Sequence, residues 1–134
     1  MIEPIADEAA GQVLAYVVRG NPAPERTTFL TPPESTLQVG YIVYGAGQEI
    51  ARHMHLPVER HIVGTAEVLL VQHGRCQVDV YAEDRRLVGT RELRQGDLLI
   101  ALAGGHAFRL LEDTVLLEVK QGPFVGDAAS KERF

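Results

Sequence analysis

Two histidines one residue apart, His53 and His55, head the stretch of this chain best suited to chemistry. In an extended strand successive side chains alternate between faces, so both imidazoles should point the same way. Two neighbouring imidazoles can chelate a metal. A carboxylate and a further histidine from adjacent strands would complete a site that leaves positions open on a divalent transition metal. Glu67 and His106 stand downstream as such groups. The pattern predicts a metal-site protein.

The elements that must position these groups read as strands. Short apolar runs separated by turn residues dominate the chain, the pattern of an all-β sandwich or barrel. Strands are predicted over 13–18, 27–30, 37–44, 49–55, 67–72, 75–81, 86–93, 98–102, 106–111 and 114–121, within a range of nine to eleven. Breaks are expected at 20–24, 31–33 and 45–47, and at the Gly74, Gly96 and Gly122 turns. Little helix is expected, at most a turn or two over 3–11, where Pro4 suits a first helical turn. The tail to Phe134 reads as polar and peripheral.

Composition narrows the partners. With 134 residues the chain is read as one domain, 1–134. A net charge of −5 argues against nucleic acid and anionic membrane surfaces, which need a basic face. No apolar run reaches the ~18 residues of a membrane span. The acidic start lacks the basic and apolar regions of a signal peptide, so a cytoplasmic location is expected. Cys76 is the single cysteine, which rules out an intrachain disulfide and a thiolate cluster. His and carboxylate ligands favour iron, manganese, nickel, cobalt or zinc.

The spacing Gly47, His53, His55, Glu67, Gly74 resembles the first motif of the cupin family. The stretch Gly96-Asp97 through Gly104 and His106 resembles the second. The two motif regions run from about 47 to 74 and from 96 to 110. The resemblance implies a jelly-roll β-barrel and one divalent metal held by His53, His55, Glu67 and His106. Two departures stand out. Glu59 suits the family's usual interval after the second histidine, whereas Glu67 suits the interval before the glycine turn, and register favours Glu67. In the second motif the usual proline is absent and His106 comes one residue early. The strings Arg60-His61, 64–69, Gly104-Gly105-His106 and 118–123 are also similar to small single-domain bacterial cupins encoded near surface-polysaccharide genes. That likeness implies a context and no substrate.

Other residues are weighed on position. Glu59 and His61, in a loop over 56–66, are candidate acid and base, and Arg60 is a candidate anion contact. Tyr41, Phe108 and Lys120 are candidate substrate contacts. Glu118 and Lys120 alternate with Val115, Leu117 and Val119 on the last strand, and charged pairs of this kind are usually solvated, with a cavity lining the lesser reading. Arg52 should face outward, His73 should be structural, and Cys76 should be a buried small apolar residue.

Three imidazoles and one carboxylate would permit Lewis-acid chemistry on a sugar or other oxygenated metabolite, of isomerase, epimerase or lyase type. An iron-dependent dioxygenase is the first alternative. A non-catalytic, metal-assisted binder of a sugar or small acid is the second. Strands apolar on both faces, such as 68–71 and 98–102, point with the family's habit to a homodimer.

Overall fold

Alternating apolar residues and left-handed turn glycines divide this chain into strands, and the computed structural model describes residues 1–20 and 23–134. The turn expected over 20–24 therefore lies partly outside the described residues. Ten strands and one short helix are formed among them. The chain is all-β, as its turn spacing predicts. It divides into two compact units, Met1–Pro22 with Thr65–Phe134, and Ala23–Gly64.

The larger unit holds two antiparallel sheets. One comprises β1 (Ile2–Asp7), β2 (Gln12–Val18), β8 (Leu98–Ala101), β5 (Glu67–His73) and β10 (Val115–Lys120), in that order. The other comprises β7 (Leu87–Arg94), β6 (Arg75–Tyr81) and β9 (Gly105–Leu110). Alternation decides what each strand buries. On β6, Cys76, Val78 and Val80 turn inward and are essentially fully buried. They meet Leu14 and Val17 from β2, Leu69 and Val71 from β5, and Leu99 from β8 in one core. Burying a side chain of this size removes apolar surface worth about 1.5–3 kcal/mol.

The expected barrel is not closed. The two sheets share no hydrogen-bonded strand, so the unit is an open sandwich with β9 and β10 as edges of their sheets. The helical turn expected over 3–11 is also corrected. Residues 2–7 form β1 instead, because pairing with β2 places Ile5 in the core. A local acidic signal cannot outweigh a paired edge with a buried isoleucine. The tail forms α1 (Asp127–Ser130).

Two glycines show why the turns tolerate no side chain. Gly74, between β5 and β6, has φ of +88°, and a Cβ there would strike the carbonyl oxygen of Asp113. Gly104, before β9, has φ of +70°, and a Cβ would strike the carbonyl oxygen of Tyr81.

The smaller unit contains β3 (Thr28–Phe29) and β4 (Gly40–Tyr41), paired antiparallel. Hydrogen bonds extend the pairing. Leu30 donates to the Val39 carbonyl at 2.7 Å, and Val43 donates to Thr27 Oγ1 at 2.9 Å. Gln38 spans the intervening loop, donating to the carbonyls of Pro32 and Ser35 at 2.9 Å each. The strand expected over 37–44 is thus reduced to two residues. The strand expected over 49–55 is not formed. Extended segments need a bonded neighbour, and these residues have none among the described strand pairs.

Candidate functional site

In the larger unit a carboxylate and an imidazole meet between the sheets. Glu67 opens β5, where it lies opposite Lys120 of β10 and Ala101 of β8. His106 stands on β9, opposite Val80 of β6. Val80 is a core residue, so its partner also turns inward. His106 Nε2 donates to Glu67 Oε1 at 2.7 Å, with the Glu67 side chain 11% exposed. The His106 bond holds the Glu67 carboxyl below the usual carboxylate range. Burial opposes that effect, and a hydrogen bond with Glu118 and the charge of Lys120 reinforce it.

Around the pair lies a cavity of about 790 Å³. Lys120, Gln121, Tyr81 and Phe134 line it with Glu67 and His106. Lys120 Nζ is 3.3 Å from Glu118 Oε2, so the inward face of β10 carries a charged pair. Both residues are still exposed, as the solvated reading expects, while Lys120 also lines the cavity. The apolar alternates Val115, Leu117 and Val119 are instead the residues facing out, each about half exposed. Gln121 continues the wall, its Oε1 accepting from the Ala66 amide at 2.6 Å. Phe108 is half-buried beside the pair, its ring centroid 5.7 Å from that of His106.

The tail lies at the surface, as expected, but it reaches the cavity. Phe134 packs edge-on against Tyr81, with centroids 5.2 Å apart, and the Arg85 guanidinium lies 5.4 Å from its ring centroid. Arg85 Nη2 also bonds Glu132 Oε1 at 2.7 Å. Tyr81 was expected to line the barrel or the interface, whereas Arg85, Glu132 and Phe134 were not singled out from the sequence. Phe124 and Phe134 in an otherwise polar tail were the available signal.

In the smaller unit His53 and His55 lie together. Their rings are edge-on, with centroids 5.4 Å apart, and both side chains are exposed. The pairing expected from strand alternation is thus reached without a strand. His53 Nδ1 sits 2.8 Å from the Ala51 carbonyl oxygen and donates to it, so Nε2 is the ring nitrogen outside that bond. Glu59, Arg60 and His61 are exposed and belong to no strand, and Arg60 Nη1 donates to the Val58 carbonyl at 3.4 Å. Tyr41 is half-buried on β4.

Within its own unit each half of the expected ligand set is therefore gathered as a pair. No group of three or more His, Cys, Asp or Glu side chains placed to hold a metal occurs among the described residues. Cys76 is fully buried and its thiol is pushed up by burial, which suits a core residue and not a nucleophile.

The chain matches no family model, no curated protein and no solved structure. No helix among the described residues is long and apolar enough to cross a membrane.

Proposed function

We propose that this protein is a cytoplasmic, homodimeric metalloprotein of the cupin type that acts on a small oxygenated metabolite, a sugar being the favoured class. His53, His55, Glu67 and His106 would hold one divalent transition metal: iron, manganese, nickel, cobalt or zinc. The observation that carries the reading is the Glu67–His106 pair, an inward carboxylate and imidazole 2.7 Å apart at a cavity of about 790 Å³.

The donor set fits such an ion. A neutral imidazole tied through Nδ1 to a backbone carbonyl is the usual form of a histidine ligand, and His53 already has that tie. Glu67 is held ionised by its surroundings, as a ligand carboxylate must be. When bound, the metal would supply Lewis-acid polarisation of a carbonyl or hydroxyl oxygen.

The chain's own groups do the remaining work. Lys120 gives the wall a cation that attracts an oxygen-rich or anionic ligand, and Glu118 holds its ammonium in place. Tyr81 and Phe134 supply an apolar face on which a sugar ring can lie. Glu59 and His61 remain the acid and base of the proposal, with Arg60, Tyr41 and Phe108 as substrate contacts. Isomerisation, epimerisation or elimination is the favoured reaction class.

Equilibrium dialysis of the metal-free protein against each candidate metal tests the reading. One ion per chain is expected, with uptake lost in His53→Ala and in His106→Ala. Full metal content in both variants would sink the site.

A further inference from the structure

One segment of the larger unit crosses from sheet to sheet and belongs to neither. Residues 121–134 leave β10, an edge of the five-stranded sheet, and reach β6 and β9 of the three-stranded one. On the way Gln121, Phe124, Lys131 and Phe134 line the same cavity as Glu67 and His106. The segment is anchored at its start, where Gln121 Oε1 accepts from the Ala66 amide at 2.6 Å. Its middle is tied to itself. Ser130 Oγ donates to the Gly126 carbonyl and the Lys131 amide to the Asp127 carbonyl, each at 2.8 Å. Lys131 and Arg133 lie 3.6 and 3.8 Å from the Asp127 carboxylate.

The far end is fastened lightly. The Phe134 ring lies edge-on to Tyr81. It seats over Gly105, its ring carbons 3.0 and 3.1 Å from where a Cβ would stand, so the missing side chain makes the room. Glu132 meets Arg85 at 2.7 Å, and the same guanidinium lies against the Phe134 ring. The Arg85 and Glu132 side chains are 53% and 79% exposed, and ion pairs so open to water hold weakly.

Arg85 adopts an unusual backbone at this contact. Its φ is +72°, the one positive value at a residue other than glycine among the described residues. It lies in the β6–β7 turn, where its amide donates to the Ala82 carbonyl and the Ala82 amide donates to the Arg86 carbonyl, each at 2.9 Å. Glycine fits a left-handed turn position without penalty, whereas the Cβ of arginine is crowded there. A strained position that is kept points to a task for its side chain. Here that side chain grips Glu132 and Phe134.

We propose that residues 121–134 are a strap over the cavity, that Arg85 is its latch, and that a ligand's oxyanion opens it by taking the place of Glu132 on Arg85. The charge at the cavity suits such a ligand, since Arg85, Lys120, Lys131 and Arg133 line it against the carboxylates of Glu67 and Glu132. A guanidinium released from Glu132 offers its planar fork to a carboxylate or phosphate. Tyr81 offers the ring face that Phe134 vacates. The strap and latch stand without a metal; the oxyanion rests on the proposed reading of the cavity as a metabolite site.

Tryptic cleavage of the full chain after Lys131 reads the latch, with cleavage after the exposed Arg52 as internal reference. In Arg85→Gly, cleavage after Lys131 should rise about fivefold, while the urea midpoint holds or rises because glycine suits the turn. An unchanged cleavage ratio overturns the strap. Faster cleavage with a lowered midpoint marks general loosening and overturns the latch. Entry to the cavity is read by carbethoxylation of His106 with diethyl pyrocarbonate in EDTA, against the exposed His73. The His106 rate should rise with the opening of the strap in Arg85→Gly. Equal His106 rates in the two proteins mean that the strap does not guard the cavity, and overturn the proposal.

Phenyl phosphate and benzoate, rings that bear the two oxyanions, read the ligand. In excess, at least one should speed cleavage after Lys131 in the wild type and leave Arg85→Gly unchanged, and the more effective of the two names the group. No effect of either on the wild type overturns the oxyanion trigger and leaves the strap to the first measurement. Equal speeding in Arg85→Gly places the anion elsewhere and overturns the exchange on Arg85.

Discussion

Glu67 Oε1 and His106 Nε2, 2.7 Å apart, form a hydrogen bond that ties β5 of the five-stranded sheet to β9 of the three-stranded one. The bond lowers the Glu67 pKa, with burial opposing. A carboxyl lowered by folding adds stability that is complete above its unfolded value and is lost as pH falls through its folded value. Urea denaturation across the acid range should therefore show a loss of stability below the ordinary carboxylate range. The loss should be shallower in His106→Ala, in which the largest lowering influence is gone. An unchanged acid slope in that variant would detach the pH dependence from this pair.

Asp97 should be among the least replaceable surface-proximal residues. Its carboxylate accepts from the Gly20 amide at 3.1 Å, the Arg94 amide at 3.0 Å and Arg19 Nη1 at 2.8 Å. Burial pushes its pKa up, but those two amides and Arg19 outweigh it and hold the carboxyl below its usual range. Asp97→Ala orphans three donors at once and should cost about 3 kcal/mol in equilibrium unfolding. Arg19→Ala with Asp97→Ala should cost less than the sum of the two, because the residues share one network.

Cys76 should report opening of the core. It is fully buried and burial raises its thiol pKa, so native protein should resist alkylation at neutral pH. Labelling by iodoacetamide should track the unfolded fraction as urea rises. Rapid labelling without denaturant would show that the β6 face opens in the folded state.

Phe134→Ala should loosen the tail and spare the core. The ring contacts Tyr81 and Arg85, and such contacts near the surface contribute about 1 kcal/mol. Unfolding should shift by no more than that, and limited proteolysis should remove the last residues faster. Metal content should stay at the wild-type level, since Phe134 supplies no ligand.

Legibility from sequence followed how locally each feature is determined. β6 and its inward Cys76, Val78 and Val80 were readable because alternation and the Gly74 turn are both local signals. The edges of β5, β8 and β10 fell within a residue or two of expectation for the same reason. β1 was missed because its strand character comes from pairing with β2, which no local signal announces. The closeness of His53 and His55 was readable, but the strand that was to hold them was not formed. That Lys120 also reaches the cavity was not legible, because alternation tells which residues share a face and not which face is inside. For the tail, the aromatic residues Phe124 and Phe134 were the one local signal, but their placement at the cavity was not legible, since the neighbours Tyr81 and Arg85 of Phe134 are some fifty positions away in the chain.

Arg19 has a consequence for the order in which the chain can assemble. It is clasped by Glu3 at 2.9 Å, by the Glu92 carbonyl at 2.8 Å and by Asp97 at 2.8 Å. Only the first of these partners precedes it in the chain. As a ribosome delivers the protein, the β1–β2 hairpin can form early but lacks the Asp97 carboxylate that completes the clasp on Arg19 until that residue has emerged. β8, the strand on which β2 lies, begins at the very next residue. Residues 1–20 are thus made well before they are fully secured, and a nascent chain stalled before Asp97 should surrender them to a protease.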